Sequence, residues 1–94
     1  MEQTSDTAAV RVNIQNKLGL HARPAMAFVE VANQFPCDVR VKKGGQVVDG
    51  KSIMQMMMLA ATVGTPLDIT ASGPQAQEAL DALVALINRK FDEE

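Results

Sequence analysis

Residues 9–28 read AVRVNIQNKLGLHARPAMAF, and the periodicity of the side chains changes partway along this stretch. In its first part, valine and isoleucine alternate with polar side chains, which is typical of a half-buried β-strand. In its second part, apolar residues recur at intervals of three and four, which predicts a helix over residues 22–35. Pro24 falls in the first turn of that helix, where its missing N–H costs nothing. The only histidine in the chain, His21, therefore lies at a corner between a strand and a helix.

The two patterns recur through the rest of the chain. Alternating apolar residues predict three more strands, and a Gly44-Gly45 pair predicts a tight turn between the first two of them. Helical spacing predicts two more helices, and the longer one follows Gly73-Pro74. The predicted segments are strands at 9–15, 38–43, 46–50 and 67–73, and helices at 22–35, 52–63 and 75–91.

The element order is therefore βαββαβα. Because each strand has one polar face, we expect a four-stranded antiparallel sheet covered on one side by all three helices. This arrangement is an α+β fold, a two-layer open-faced sandwich. A chain of 94 residues is enough for a single domain of this kind, with its core over about residues 8–91. We expect the polar ends, residues 1–7 and 92–94, to be frayed.

The composition and charge of the chain argue against several classes of function. Nine basic and 11 acidic residues give a net charge of −2, and the aromatic residues are three phenylalanines. Neither a basic face nor a base-stacking platform for nucleic acid is therefore expected. The apolar segments are shorter than the roughly 20 residues of a transmembrane helix, and the N-terminus lacks the features of a signal peptide. Because a single cysteine also agrees with a reducing compartment, we expect a cytoplasmic monomer that binds no membrane.

His21 and Arg23 lie at the start of the first predicted helix. The first-turn amides of a helix have no helical acceptors and carry the positive end of its dipole, so such a terminus binds anions. An arginine side chain is well shaped to hold phosphate oxygens, and a neutral imidazole nitrogen can attack a phosphoryl group. The pattern alone leaves a second interpretation open, because a histidine before a helix is often a cap or a surface residue.

The groups needed for self-contained catalysis are not visible in the sequence. It contains no Walker-type phosphate loop, and no acidic metal cluster or general base is apparent near His21. One histidine and one distant cysteine do not make a metal site. We therefore expect no metal and no cofactor, and a carrier that uses the catalytic groups of its partners rather than a complete enzyme.

Two separate motifs resemble the HPr family, the histidine-containing phosphocarriers of the bacterial phosphoenolpyruvate-dependent phosphotransferase system. Residues 16–28, NKLGLHARPAMAF, resemble the active-site signature of that family, and residues 50–59, GKSIMQMMML, resemble its regulatory-serine signature. The resemblance covers about residues 8–91 and includes the element order. It implies a carrier that accepts a phosphoryl group from enzyme I, itself charged by phosphoenolpyruvate, and passes it to an EIIA-type protein in sugar uptake or regulation.

The resemblance also implies roles for individual residues. His21 matches the phosphoryl-accepting histidine, which uses Nδ1, and Arg23 matches the arginine that contacts the phosphoryl group and the partners. Pro24 matches the proline that starts the helix. Ser52 matches the serine that HPr kinase/phosphorylase modifies in many members. Ser52 also stands at a natural N-cap position, so a plain capping role is compatible with a regulatory one.

The helix predicted at 52–63 is apolar nearly all round. At 100° per residue its side chains form two groups, and only one of them can face the core of a two-layer domain. The other group consists either of methionines that fill gaps in the core or of an exposed docking surface for several partners, and the resemblance favours docking. The predicted core group is Met56, Leu59, Ala60 and Val63, the second group is Ile53, Met54, Met57 and Met58, and the predicted partner-binding residues are Leu20, Met26, Ile53, Met54 and Met57.

The physiological pathway is left open by the sequence. Residues 73–94 resemble the nitrogen-related branch of the family, whose role is mainly regulatory, whereas residues 50–59 resemble the sugar-linked branch. Gln55 stands where smaller residues are common in the family, and we expect it to influence partner or kinase preference. Two alternatives are a regulatory binding module that docks to a transcription factor or metabolic enzyme, and an unrelated module that binds RNA. The excess of acidic over basic residues and the absence of aromatic residues from the predicted strands argue against RNA binding.

Overall fold

The computed structural model describes residues 6–93, which follow the predicted βαββαβα order. The elements are β1 (Thr7–Asn13), α1 (Ala22–Ala32), β2 (Asp38–Lys43), β3 (Gln46–Asp49), α2 (Ile53–Met58), β4 (Pro66–Ser72), α3 (Ala76–Asn88) and a final 3₁₀ turn at Lys90–Asp92. The four strands form one antiparallel sheet in the order β1-β4-β2-β3, so that β4 lies between β1 and β2. The predicted open-faced α+β sandwich is confirmed.

The sheet has one apolar face because its side chains alternate. In β4, Leu67, Ile69 and Ala71 are buried, whereas Asp68 and Thr70 are only half-buried. The alternation continues in β2, where the two valines are buried and their neighbours are exposed. The apolar face is covered by the helices, and the polar face is open to solvent, as an antiparallel sheet allows.

The core lies between this apolar face and the three helices. Each fully buried large aliphatic or aromatic side chain stabilises the fold by about 1.5–3 kcal/mol relative to its exposed state. All four strands or their flanking segments and all three helices supply such residues. The largest of the core side chains are Phe28, Ile14, Met56, Leu59, Leu67, Ile69, Leu83 and Ile87.

Helix α1 ends earlier than the sequence pattern predicts. It stops at Ala32 rather than continuing to Phe35, because Asn33 caps it. The side-chain Nδ2 of Asn33 donates to the Val29 carbonyl at 2.9 Å, a local bond of the kind that lets asparagine compete with helix propagation. Pro36 therefore follows a helix that has already ended. Phe35 still packs against the core from the turn that follows.

Helix α2 is about half as long as predicted. It ends at Met58, and Ala60 has a left-handed backbone with a φ of 49°. The Nζ of Lys43 donates to the Leu59 carbonyl at 2.7 Å and thereby satisfies an acceptor at the helix end. The prediction that Ala60 and Val63 complete the core stripe is wrong, since both lie beyond this break and are exposed, Val63 by 54%.

Helix α3 begins after a left-handed residue. Gln75 has a φ of 65° and precedes the first helical residue, Ala76, so Pro74 lies two residues before the helix. The helix ends at Asn88. The apolar residues whose helical spacing predicted this helix are all buried within it: Ala79, Leu80, Leu83, Leu86 and Ile87.

The chain then turns sharply at Lys90–Asp92. All three residues have left-handed backbones, with φ between 56° and 59°, a conformation that costs roughly 1–2 kcal/mol for each residue other than glycine. Phe91 is buried at the centre of the turn, and its burial offsets part of that cost. The chain changes direction at this turn, immediately before Glu93. Residues 92–93 were expected to fray.

The N-terminal end is also more structured than expected. Strand β1 begins at Thr7, which pairs with Ser72, and the Gly73 N–H donates to the Asp6 carbonyl. These pairings extend the sheet beyond the predicted start of the core. The expectations for residues 1–5 and 94 lie outside the described residues.

A charged pair joins β1 to β4 on the open face of the sheet. Arg11 and Asp68 are register partners, and the guanidinium donates to both carboxylate oxygens at 2.8 and 3.0 Å. This hydrogen bonding lowers the pKa of Asp68 from its ordinary value of 3.8. Both side chains are substantially exposed, so the pair contributes little stability and is screened by salt.

The Arg11–Asp68 pair predicts a pH effect. A carboxyl whose pKa is lower in the folded state contributes stability above its unfolded pKa, and this contribution is lost as the pH falls through the folded pKa. The Asp68→Asn variant is therefore expected to lose less stability than the wild type between about pH 5 and pH 2. Urea unfolding across this range measures the slope. Arg11→Gln removes the cause of the shift and is expected to flatten the curve in the same way. Unchanged slopes in both variants would contradict the prediction.

Candidate functional site

Gly19 determines which side chains of the strand-to-helix corner face outward. Its φ of 71° is a conformation that glycine adopts freely, and a Cβ there would lie 2.5 Å from the Ala61 carbonyl oxygen. Leu20 donates its N–H to that same carbonyl at 2.8 Å and is buried, whereas Leu18 is 75% exposed. The prediction that Leu20 lies on an exposed docking surface is therefore wrong, because the turn at Gly19 places Leu18 outside and Leu20 in the core.

His21 is the N-cap residue of α1. Its backbone is extended, with φ −96° and ψ −166°, and its carbonyl accepts the Ala25 N–H at 2.9 Å. The imidazole makes no capping hydrogen bond to the helix, and its side chain is 41% exposed. The ring nitrogen Nε2 instead lies 2.8 Å from Oε2 of Glu93. The capping interpretation therefore applies only to the backbone of His21, and the ring is available for another role.

Asn16 holds the carboxylate of Glu93 in place. The Nδ2 of Asn16 donates to Oε1 of Glu93 at 2.8 Å and to the Gly19 carbonyl at 2.7 Å. Asn16 is completely buried, and its Oδ1 has no hydrogen-bond partner among residues 6–93. If the amide were turned over, Oδ1 would take the place of Nδ2 and would face the Gly19 carbonyl and the Glu93 carboxylate, neither of which can donate a hydrogen bond. The orientation of this buried side chain is therefore determined by Glu93 and Gly19 together.

Arg23 lies in the first turn of α1, two residues after His21. It lines an open groove of about 550 Å³ together with Lys17, Leu18 and Glu93. Two basic side chains thus lie beside the start of a helix of 11 residues, where unpaired amides also favour negative charge. This combination can hold the oxygens of a phosphoryl group next to the imidazole. Pro24 lies in the same first turn and is buried, at the position that the sequence predicted.

Helix α2 separates its apolar side chains into a buried group and an exposed group. Met56 and the following Leu59 are fully buried, whereas Met54 is 78% exposed. The first helix lies alongside, because α1 and α2 pack against each other. The exposed apolar residues of these two helices and the corner are here called the apolar patch: Leu18, Met26, Ile53, Met54, Met57 and Met58.

Ser52 is the N-cap residue of α2, as the sequence predicts. Its Oγ accepts the Gln55 N–H at 3.2 Å. The side-chain Oε1 of Gln55 in turn accepts the Asp49 N–H at 2.9 Å, so this larger residue ties the helix to the end of β3. Ser52 is half-buried and precedes Ile53 and Met54 directly, so its hydroxyl lies at the border of the apolar patch.

Three residues of this region were missed by sequence reasoning. Leu18 was assigned to the connection, and Asn16 was noted only as part of a motif. Glu93 was placed in a frayed tail, because it lies 72 residues from His21 and no local pattern links the two. The only feature of the sequence that could have pointed to Glu93 is the polar C-terminal tail with its several carboxylates.

Two further observations concern the whole described part of the chain. No group of three or more histidine, cysteine, aspartate or glutamate side chains within residues 6–93 is placed to hold a metal ion. Among the helices of the same residues, none is both long enough and apolar enough to cross a membrane.

Comparisons with known proteins agree with this architecture. A family model described as the PTS HPr component phosphorylation site matches residues 9–89. Phosphocarrier protein HPr from Pseudomonas aeruginosa is 57% identical over 86 residues, covering 90% of this chain and 96% of that protein. Phosphocarrier protein NPr from Klebsiella oxytoca is 40% identical over 89 residues, covering 94% of this chain and 99% of that protein.

Solved structures show the same fold. A crystal structure of HPr from Thermoanaerobacter tengcongensis is 44% identical, with a TM-score of 0.89 over 93% of this chain and 98% of that chain. A structure described as an HPr dimer from the same organism is 44% identical, with a TM-score of 0.73 over 85% of this chain and 92% of that chain.

The fold and the family match together define a small phosphocarrier protein of the open-faced sandwich class. The chain belongs to the HPr family, the phosphocarriers of the phosphotransferase system. Its partners are accordingly proteins of that system.

Proposed function

We propose that this chain accepts a phosphoryl group on Nδ1 of His21 from phosphoenolpyruvate-charged enzyme I and passes it to an EIIA-type protein. The observation that carries the proposal is the position of His21. Its half-exposed ring belongs to the N-cap residue of α1, two residues before Arg23, and its Nε2 lies 2.8 Å from Oε2 of Glu93, which lines the same groove as Arg23. Nδ1 is therefore the ring nitrogen left for attack.

The transfer step follows from this arrangement. The lone pair of Nδ1 attacks phosphorus, and an N–P bond forms as the bond between phosphorus and the donor breaks, with its electron pair returning to the donor. Arg23 and the first-turn amides of α1 stabilise the phosphoryl oxygens. Transfer to the acceptor reverses these bond changes at Nδ1. Because the site is open, the partner supplies the remaining catalytic groups and excludes water.

The apolar patch is the proposed docking surface for both partners. Six exposed apolar side chains lie on two packed helices and the adjoining corner, and exposed methionines adapt to more than one binding surface. Enzyme I and the acceptor would then bind the same surface in turn. We propose that the carrier acts as a monomer in the cytoplasm, where both partners meet it, although one related HPr structure is described as a dimer.

A phosphorylation assay tests the proposed function. The purified chain is incubated with phosphoenolpyruvate and enzyme I, and intact mass spectrometry follows the gain of one phosphoryl group. The label is expected to be labile in acid, stable in base, and located on the peptide that contains His21. Addition of an EIIA-type protein is expected to discharge it. Absence of labelling, or an acid-stable label, would contradict the proposal.

Ser52 is proposed as a regulatory site for HPr kinase/phosphorylase. A phosphate would add about −1.5 to −2 charges at the border of the apolar patch, where it would oppose an acidic or apolar partner surface. At a helix N-terminus the same charge is favourable, by about 0.3–1 kcal/mol, so α2 is expected to stay folded. An acid-stable, ATP-dependent label that is lost in Ser52→Ala would support this role.

The Ser52→Asp variant is expected to slow phosphoryl acceptance from enzyme I by about tenfold, which corresponds to a loss of about 1.4 kcal/mol in docking. Ser52→Asn is the matched control, because asparagine and aspartate cap helices equally well and differ in charge. The initial rate of labelling at limiting concentrations of the carrier measures the effect. Equal rates in the two variants would show that charge at this position does not regulate docking.

A regulatory role is the second candidate function. Its support is the similarity to NPr, which extends over 94% of this chain. Discharge of the phosphorylated carrier by acceptors from the sugar-linked and nitrogen-related branches distinguishes the two pathways. A preference for the nitrogen-related acceptor would favour regulation over sugar uptake.

A further inference from the structure

We propose that Glu93 is a positioning residue for phosphoryl transfer, which sets the tautomer of His21 and stabilises the charge that the ring gains. This inference rests on the proposed function of His21 as the phosphoryl acceptor. It concerns a side chain from the C-terminal end of the chain, outside the two motifs that identify the family.

The hydrogen-bond geometry determines the tautomer. Oε2 of Glu93 lies 2.8 Å from Nε2 of His21, and an ionised carboxylate can only accept a hydrogen bond. Nε2 must therefore carry the hydrogen, and in a neutral ring the lone pair is then on Nδ1. Glu93 thus selects the form of the ring in which Nδ1 is the nucleophile.

The same contact stabilises the product of attack. When Nδ1 forms its bond to phosphorus and Nε2 keeps its hydrogen, the ring becomes an imidazolium with a positive charge. The carboxylate of Glu93 is only 13% exposed, so its attraction for that charge is less screened than at an open surface. Because the charge develops during transfer, the attraction is stronger in the transition state than in the resting carrier.

The return step uses the same proton. The N–P bond breaks, its electron pair goes back to Nδ1, and the hydrogen stays on Nε2 throughout. A phosphoryl group leaves a ring that is protonated on Nε2 more readily than a neutral ring, because the ring then departs as neutral imidazole rather than as imidazolate. By keeping the hydrogen on Nε2, Glu93 favours delivery as well as acceptance. No proton has to enter or leave the site in either direction.

Two features of the structure hold Glu93 ready for this role. Asn16 is completely buried and directs both hydrogens of Nδ2 at the Glu93 carboxylate and the Gly19 carbonyl, at the expense of its own unpartnered Oδ1. The three left-handed residues at Lys90–Asp92 redirect the chain immediately before Glu93. Sparsely populated backbone conformations persist only where the surroundings impose them, here where Phe91 is buried and Glu93 binds Asn16 and His21.

The Glu93→Gln variant tests the carboxylate. Glutamine keeps the size but removes the negative charge and one of the two acceptor oxygens that Asn16 and His21 use. We expect the kcat for phosphoryl acceptance from enzyme I to fall about tenfold, the lower end of the loss found for carboxylate partners of metal-binding histidines, with the KM for the carrier unchanged. Glu78→Gln is the matched control, since it makes the same substitution at an exposed carboxylate in the first turn of α3, at the end of that helix away from Glu93. It is expected to transfer at the wild-type rate.

The Glu93→Ala variant tests the tautomer. The ¹⁵N chemical shifts of the His21 ring, recorded at about pH 9, where an imidazole is ordinarily neutral, are expected to show hydrogen on Nε2 in the wild type. A mixture of tautomers is expected in Glu93→Ala. In Glu93→Gln the single amide oxygen accepts from Asn16 Nδ2 and the amide NH2 faces Nε2 of His21, so a shift toward hydrogen on Nδ1 is expected. These shifts report the ring itself and would not change through a loss of global stability.

Several outcomes would overturn the inference. A wild-type kcat in Glu93→Gln and Glu93→Ala, or unchanged ring shifts in Glu93→Ala, would remove the positioning role. A rise in KM at constant kcat would show that Glu93 contacts the partner instead. If the wild-type chain accepts no phosphoryl group at all, the proposed function itself fails, whereas normal acceptance by both variants refutes only the role of Glu93.

Discussion

His21→Ala is expected to abolish phosphoryl acceptance from enzyme I and to leave the fold intact. No other histidine exists in the chain to replace it. The imidazole caps nothing in α1, since the helix begins on the His21 carbonyl, and the ring is partly exposed. Its loss removes one hydrogen bond to Glu93, and such a bond contributes about 1–2 kcal/mol to stability. The variant is therefore expected to unfold only slightly below the wild-type temperature and to show no label by intact mass.

The control for this substitution is Gln34→Ala, which changes an exposed side chain beyond the other end of α1. It is expected to be labelled at the wild-type rate. Circular dichroism and thermal unfolding show whether His21→Ala is folded, so that loss of label can be assigned to loss of the nucleophile. A folded His21→Ala protein that still gains an acid-labile phosphoryl group would refute the assignment of His21.

Met54→Asp is expected to raise the KM of enzyme I for this carrier by about 30-fold, the effect of losing about 2 kcal/mol at a central interface residue. Met54 is the most exposed apolar side chain of α2, at 78%, and docking would bury the new carboxylate in an apolar contact without a partner. The fold is expected to tolerate the change. An acidic residue in the first turn of a helix interacts favourably with the helix dipole.

Val47→Asp is the matched control for Met54→Asp. Val47 is another exposed apolar residue, but its neighbour Val48 is buried, so alternation in β3 places Val47 on the sheet face opposite the helices. The same charge is added there, away from the apolar patch. Steady-state transfer rates at several carrier concentrations give KM for both variants. Equal effects would indicate a general influence of net charge, and no effect in Met54→Asp would remove α2 from the docking surface.

The sequence-based description was accurate where structure depends on near neighbours. The alternation in β2 and β4 matched the buried faces, and the two-glycine turn joins β2 to β3 as predicted, with Lys43 opposite Gln46. Helix ends were less well predicted. The early ends of α1 and α2 depend on side-chain hydrogen bonds from Asn33 and Lys43 to helix carbonyls, and the second of these joins residues from different elements.

The candidate site likewise contains residues whose position the local sequence pattern predicted and residues whose position it did not predict. His21, Arg23 and Pro24 are grouped within four consecutive residues, so their common position at the start of α1 was predictable from the helix pattern alone. Leu20 was assigned to the wrong side because the direction of the corner depends on a close approach between Gly19 and the Ala61 carbonyl. That contact comes from the segment after α2, which no local pattern connects to the corner.

The sequence by itself determined the order of the elements, the apolar face of the sheet and the location of an imidazole at a helix start. These features follow from periodicities of two and about 3.6 residues and from the chemistry of adjacent side chains. Only the tertiary structure decided that Leu18 faces outward, that α2 exposes four of its apolar side chains, and that Glu93 lies against His21. The last contact joins residues 72 positions apart, and it exists because Phe91 is buried and Asn16 presents both amide hydrogens from the core. Such pairings depend on how the layers pack, which a pattern of neighbouring residues does not contain.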